Sequence, residues 1–180
     1  AKLDAVSRAN QTAAAFYQDV LETDEGNAAS KYLAERGLDE QTMRTFKLGF
    51  SPRSRDGLRR YLETHSVDLD GAVEAGLLAR REDGGLRDFF WGRLMFPIAD
   101  RQGRVVGFGA RAMDDSPPKY INTARSPVFD KSTMLYALHL AAPSIREAET
   151  AVVVEGYMDV IAAHQHGFRN VVASMGTALT

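Results

Sequence analysis

Val152-Val153-Val154-Glu155-Gly156-Tyr157-Met158-Asp159-Val160-Ile161 is the stretch whose reading decides the fold class. Its three consecutive valines form a short apolar run, which suits a parallel strand covered on both faces. Glu155 ends the run with a carboxylate. Gly156 permits a tight turn and lets a ligand come close to the backbone. Tyr157 to His166 has helical spacing and stops at Gly167, a residue type that closes helices. Asn170-Val171-Val172-Ala173-Ser174 then supplies a second strand. The unit is β-α-β, with its acid at the carboxyl end of the first strand, where open α/β sheets bind ligands.

That placement has chemical content. Glu155 stands where a hard cation can be held, and Asp159 follows four residues later, about one helical turn away. Mg²⁺ typically takes one or two protein carboxylates and completes its shell with water and substrate phosphates. Such an ion activates an attacking oxygen and neutralises a leaving phosphate. Read by themselves, the same two acids are also a solvated strand-end carboxylate and a surface helical residue.

Outward from this unit the pattern changes twice. The first half is mainly helical. Val6, Ala13, Phe16, Tyr17, Val20 and Leu21 mark one apolar stripe. Asp24 to Asn27 forms a turn, Ala28 to Arg36 a second helix ended by Gly37, and Asp39 caps a third that runs through Phe46. Ser51 to Asp56 is a loop, followed by short helices over Gly57 to Thr64 and Leu69 to Ala75. Met43, Phe46 and Leu62 are core candidates. The middle has the period of strands. Asp83-Gly84-Gly85 and Asp100-Arg101-Gln102-Gly103 sit between apolar runs and signal two hairpins. Lys119 to Asn122 is extended after Pro117-Pro118. Leu135 to Ala142 and Ser144 to Ala148 are read as two more helices, and no internal repeat is visible.

Gly107-Phe108-Gly109-Ala110-Arg111-Ala112 fits a dinucleotide fingerprint, but that site requires a helix directly afterwards. Asp114-Asp115-Ser116-Pro117-Pro118 leaves no room for one. The glycines instead allow another chain segment or a nucleic-acid backbone to approach a strand. Phe89, Phe90 and Trp91 are packing aromatics more readily than a base-stacking platform. His164 and His166 are two residues apart and do not share a helical face, so zinc is not expected. No G-x-x-x-x-G-K-[ST] motif occurs, which excludes a P-loop motor.

A longer set of motifs carries a family resemblance. Glu155-Gly156-Tyr157-Met158-Asp159-Val160 with Ala173-Ser174-Met175-Gly176-Thr177 resembles the opening half of a toprim domain, found in bacterial primases, topoisomerases and some nucleases. Upstream, Arg93-Leu94-Met95-Phe96-Pro97-Ile98, Gly103 to Arg111, Pro118-Lys119-Tyr120-Ile121-Asn122, Phe129-Asp130-Lys131-Ser132 and Leu135-Tyr136-Ala137-Leu138 resemble the segment ahead of toprim in bacterial replicative primases. Ala110 stands where that family commonly has a third glycine. The resemblance covers nearly the whole chain. It implies an α+β protein: a helical and small antiparallel-sheet subdomain over residues 1–148, then the start of an α/β toprim domain over 149–180.

The resemblance also implies function. It suggests DNA-directed synthesis of short RNA primers on single-stranded DNA, by attack of a 3′-hydroxyl on a ribonucleoside triphosphate. Glu155 and Asp159 would hold Mg²⁺ or Mn²⁺. Glu155 and Lys131 would be catalytic, and Arg36, Arg111, Lys119, Tyr120 and Asn122 would bind nucleotide or template. Arg111, Lys119 and Lys131, at spacings of 8 and 12, are by themselves ordinary surface cations. The partners implied are single-stranded DNA, ribonucleoside triphosphates, the RNA primer and, for the parent protein, the replicative helicase. A toprim nuclease or topoisomerase and a non-catalytic nucleic-acid-binding module are the alternatives.

Composition agrees with a globular chain. It has 180 residues, 44% hydrophobic and 26% charged, no cysteine and a net charge of −2. Disulfides and cysteine-held zinc are excluded, and any nucleic-acid binding must come from a local basic face. No run approaches the ~18 apolar residues of a membrane span, so the expectation from composition is a soluble cytoplasmic protein, and the resemblance implies a bacterial one acting at the replication fork. The family's later D-x-D strand, its cysteine-rich zinc module and its helicase-binding region lie outside these residues. The expectation is therefore of a fragment inactive alone and weak for metal, which either self-associates or has a poorly ordered C-terminal part, with Asn170 to Ser174 the last strand of an interrupted sheet.

Overall fold

The computed structural model describes residues 2–175. Gly176 and Thr177 of the toprim-like motif, with the rest of 176–180, lie outside the described residues. Seven helices are described: α1 (Lys2–Leu21), α2 (Asn27–Glu35), α3 (Glu40–Thr45), α4 (Gly57–Thr64), α5 (Leu69–Glu74), α6 (Leu138–Ala148) and α7 (Tyr157–Gln165). The strands are β1 (Gly49–Phe50), β2 (Leu78–Arg80), β3 (Leu86–Asp88), β4 (Arg93–Ala99), β5 (Val105–Ala112), β6 (Tyr120–Asn122), β7 (Leu135–Tyr136), β8 (Val152–Val154) and β9 (Val171–Ser174).

The heart is a four-stranded antiparallel sheet in the order β1-β4-β5-β6. Helix α1 lies on one face. Its buried stripe, Val6, Ala9, Ala13 and Tyr17, packs with Met95, Phe108 and Ala110 of the sheet. The small side chains of Ala9 and Ala13 bring the helix axis close to the strands. Gly49 has the same cause, since a Cβ there would come within 2.6 Å of the Tyr17 side chain. Asn10 is fully buried and its amide donates to the Val106 carbonyl at 3.3 Å, which offsets the cost of burying it. The opposite face packs Leu94, Phe96, Ile98 and Val106 against Phe129, Tyr136, Tyr157 and Val160. Strands β4 and β5 are thus covered on both sides although they are antiparallel.

The cap at Asp39 forms as expected, with its carboxylate accepting from the Thr42 amide at 2.7 Å. Gly37 closes α2 with φ +80°. The first hairpin is β2–β3. Asp88 sits at the end of β3 and accepts from the Leu58 and Arg59 amides at 2.7 and 3.0 Å, so a strand residue caps α4. Burial pushes its carboxyl above the ordinary value, against those hydrogen bonds.

A third sheet has the order β7-β9-β8, with β8 parallel and β7 antiparallel to β9. Helix α7 makes the crossover, and the β-α-β unit is present. Four expectations need correction. Val152 and Val153 are 43% and 40% exposed: β8 is an edge strand, because no strand pairs with its outer side among the described residues. Asn170 to Ser174 contains β9, the last described strand in chain order as expected, but its place in the sheet is central, with neighbours already on both sides. Leu135 and Tyr136 are not helical. They form β7, since Leu135 pairs with Ser174 and Tyr136 with Ala173, and Ala137 at φ +65° breaks the chain before α6. A single helix, α6, then takes in Pro143 and the separate short helix expected over Ser144 to Ala148.

Candidate functional site

The acidic end is built by the turn from β8 into α7. Gly156 is the N-cap residue, and Asp159 lies in the first helical turn, where a negative charge is favourable against the helix dipole. A Cβ on Gly156 would lie 3.2 Å from an Asp159 carboxylate oxygen, so the missing side chain makes room for that acid beside Glu155. Glu155 and Asp159 are both exposed. Among the described residues neither has an ion pair or side-chain hydrogen bond. Two free, hard oxygen donors fit Mg²⁺ or Mn²⁺, which use few protein carboxylates and complete their shell with water and phosphate. They do not make a closed protein cage, and no group of three or more such ligands occurs among the described residues.

Glu155 opens onto a cleft of about 310 Å³. Its walls are Tyr120 and Asn122 from β6, Glu155 to Tyr157 from the turn, and Ala173 to Met175 from the end of β9. Strand register explains why β6 contributes. Arg111 pairs with Tyr120 and Gly109 with Asn122, so all four stand on one face of the sheet. Tyr157 lies on that face. A Cβ on Gly109 would overlap the Tyr157 phenol ring, and one on Gly107 would press on Phe129. The close approach expected at these glycines is therefore by the chain's own rings. Tyr157 donates to the Asn122 side-chain oxygen at 2.7 Å, and the Asn122 amide reaches the Met175 carbonyl at 3.5 Å. The Tyr157 ring stacks on Phe96 at 4.9 Å and meets Tyr136 edge-on at 4.7 Å. Burial pushes its hydroxyl far up, with a further push from Tyr120, so it stays a neutral donor. This one side chain fastens the acidic turn to the central sheet.

The basic side is organised by a ring that sequence reasoning missed. Tyr32 of α2 carries the Arg111 guanidinium 4.3 Å from its ring centroid and that of Arg36 at 5.1 Å. Arg111 also donates to the Ala112 carbonyl at 2.8 Å. Burial raises the Tyr120 hydroxyl, Tyr32 adds to the rise, and Arg111 opposes it, so Tyr120 belongs to the same cluster. The four-residue spacing of Tyr32 and Arg36 was the available signal. It announced a shared helical face but nothing of Arg111, which is far away in sequence. Tyr157 was also missed as a support. Its neighbours Glu155 and Asp159 drew the chemical argument.

Lys119 and Lys131 are exposed. Lys119 lies just before β6, its carbonyl accepting from the Ala112 amide at 2.8 Å. Lys131 opens a short 3-10 turn capped by Asp130. It does not line the cleft and no hydrogen bond or ion pair joins it to the cleft among the described residues. Phe90 is core at 1% exposure, whereas Phe89 and Trp91 are about half exposed, with Arg53 5.8 Å over the Trp91 ring. His164 is tied to the Val171 carbonyl at 2.8 Å.

Among the described residues no helix is long and apolar enough to cross a membrane. Residues 16–142 match the N-terminal domain of the DNA primase catalytic core, and residues 149–180 match the toprim domain, a family that implies use of a divalent metal. The chain is 44% identical over 170 residues to the DNA primase of Listeria monocytogenes, covering 94% of this chain and 27% of that protein. It therefore spans about a quarter of that relative's length. It is similar to the RNA polymerase domain of the Mycobacterium tuberculosis primase DnaG, solved with a double-stranded DNA oligomer bearing a 6-nucleotide overhang. The TM-score is 0.93 at 39% identity, covering 98% of this chain and 56% of that one. It is also similar to a DnaG primase catalytic domain bound to single-stranded DNA. There the TM-score is 0.90 at 35% identity, covering 99% and 58%. With mixed helices and small sheets running into the β-α-β start of a toprim domain, the chain belongs to the DNA primase catalytic core family.

Proposed function

We propose that this chain is part of a DNA-directed RNA polymerase that makes short primers on single-stranded DNA at the bacterial replication fork. The observation that carries the proposal is one cleft with two kinds of wall. Glu155 stands on one side, Tyr120 and Asn122 on the other, and Tyr120 adjoins unneutralised arginines. The match over residues 16–142 favours this reading over a toprim nuclease or topoisomerase. Membership of a catalytic core favours it over a binding module without activity. We take residues 1–148 as the helical and antiparallel-sheet unit and 149–180 as the toprim unit, with β7 of the first completing the sheet of the second.

In the proposed reaction a primer 3′-hydroxyl attacks the α-phosphorus of a ribonucleoside triphosphate. The new P–O bond forms as the bond to the β-phosphate bridge breaks, and pyrophosphate leaves. Mg²⁺ or Mn²⁺ held by Glu155 and Asp159 would neutralise phosphate charge. Glu155 is the carboxylate within the cleft able to take the hydroxyl proton, and Lys131 is assigned a catalytic cation. Arg36, Arg111 and Lys119 hold phosphates of nucleotide or template by charge-assisted hydrogen bonds. Tyr120 and Asn122 line the nucleotide's place. The partners are single-stranded DNA, ribonucleoside triphosphates and the RNA primer, with the replicative helicase a partner of the whole protein in the cytoplasm.

Glu155→Gln in the full-length protein tests this reading. Primer synthesis is expected to fall by on the order of 10²-fold or more, because charge stabilisation at the reacting phosphate is lost, with unfolding unchanged. Near-normal synthesis by that variant would remove Glu155 from the site.

A further inference from the structure

We infer that Tyr32 is a positioning residue, which holds Arg36 and Arg111 beside one aromatic ring and presents both as uncompensated cations to phosphate oxyanions. The inference rests on the proposed phosphate-binding role of those two arginines and adds a residue to it.

Three observations carry it. First, both guanidinium groups face the same ring, at 5.1 and 4.3 Å from its centroid, although Arg36 follows α2 and Arg111 lies in β5. Second, neither guanidinium is neutralised by a neighbouring acid, as several other arginines of the surface are. Arg44 pairs with Glu40, Arg59 with Glu63, Arg80 with Asp70 and Arg104 with Asp100. Among the described residues Arg36 and Arg111 have no carboxylate partner. A carboxylate would cancel the charge and compete with a phosphate. A ring orients a guanidinium through its quadrupole and leaves the positive charge whole. Third, Arg111 is further fixed by its hydrogen bond to the Ala112 carbonyl, and its Nε is buried without a partner. A buried donor left unpaired carries a desolvation cost. Two like charges at one ring also repel, and an arriving phosphate relieves that repulsion.

The phosphate can belong to a triphosphate or to the template strand, and the experiment separates the two. In the full-length protein, Tyr32→Leu and Tyr32→Phe are compared with Arg111→Ala, measuring KM and kcat for ribonucleoside triphosphates and the salt dependence of single-stranded DNA affinity. Tyr32→Leu is expected to lower affinity about 3- to 10-fold, in the range of a cation–π contact, with kcat nearly kept. A raised KM assigns the pair to the triphosphate. A weakened DNA affinity with a shallower salt slope assigns it to the template. Tyr32→Phe, which keeps the ring, is expected to behave as wild type. Tyr32→Leu in an Arg36→Ala, Arg111→Ala background is expected to add no further loss. Should Tyr32→Leu fail to fold, Tyr32→Met supplies the ring-less comparison.

The inference is overturned if Arg111→Ala loses affinity while the ring-less variants keep it, or if Tyr32→Phe is as impaired as Tyr32→Leu. Wild-type behaviour of Arg111→Ala itself would instead overturn the proposed role of the arginines, and the role of Tyr32 with it.

Discussion

Strands β4 and β8 carry the same kind of sequence and have opposite fates. Leu94-Met95-Phe96-Pro97-Ile98 and Val152-Val153-Val154 are both continuous apolar runs. Leu94, Met95, Phe96 and Ile98 are fully buried, while Val152 and Val153 are each exposed by 40% or more. The difference lies in the neighbours. Strand β4 is paired by β1 and β5, roofed by α1 on one face and by Tyr157 and its cluster on the other. Strand β8 pairs only with β9 among the described residues. An apolar run announces a strand. It does not say how many partners that strand has or whether the sheet is parallel.

The contrast can be pressed by substitution. Phe96→Ala should cost about 3–5 kcal/mol, the range for deleting a buried aromatic, because Phe96 is fully buried and stacks on Tyr157. Thermal or denaturant unfolding of the chain measures it. A loss below about 1 kcal/mol would mean that the doubly covered sheet is far looser than its packing implies. Tyr157→Phe should cost about 1 kcal/mol, since it keeps the ring on Phe96 but removes the 2.7 Å bond to Asn122. The same unfolding measurement applies, and a neutral result would show that ring packing alone joins the acidic turn to the sheet. Val153→Thr on β8 should stay within about 0.5 kcal/mol, as surface substitutions do. If it destabilises the chain as much as Phe96→Ala, the two strands are not different in kind and the comparison fails.

The candidate site divides along the same line. Its acidic half was legible because it is local: Glu155, Gly156 and Asp159 are within five residues, and a strand–turn–helix reading places them together without long-range information. The basic half was legible only as residue types. Arg36, Arg111, Lys119 and Lys131 span nearly a hundred positions, and nothing in their spacing shows that Arg36 and Arg111 share Tyr32 whereas Lys131 stands off the cleft. The glycines of β5 teach a similar lesson. Gly107 and Gly109 announced a close approach, correctly, but the approaching groups are Phe129 and Tyr157.

By itself the sequence determined what depends on neighbours along the chain. That includes the Asp39 cap, the glycine that ends α2, the two hairpins, the β-α-β unit and the acid at its turn. Caps and turns are decided by backbone dihedrals and hydrogen bonds spanning a few residues, and those are written locally. Only the tertiary structure decided that Leu135–Tyr136 is a strand, because pairing with Ala173 and Ser174 outweighs a helical pattern. It also decided that β8 is an edge, and that Tyr32 gathers two distant arginines. Each of these is a contact between remote segments. Its free energy comes from surfaces that meet only after the chain has folded, so no window of sequence contains both partners.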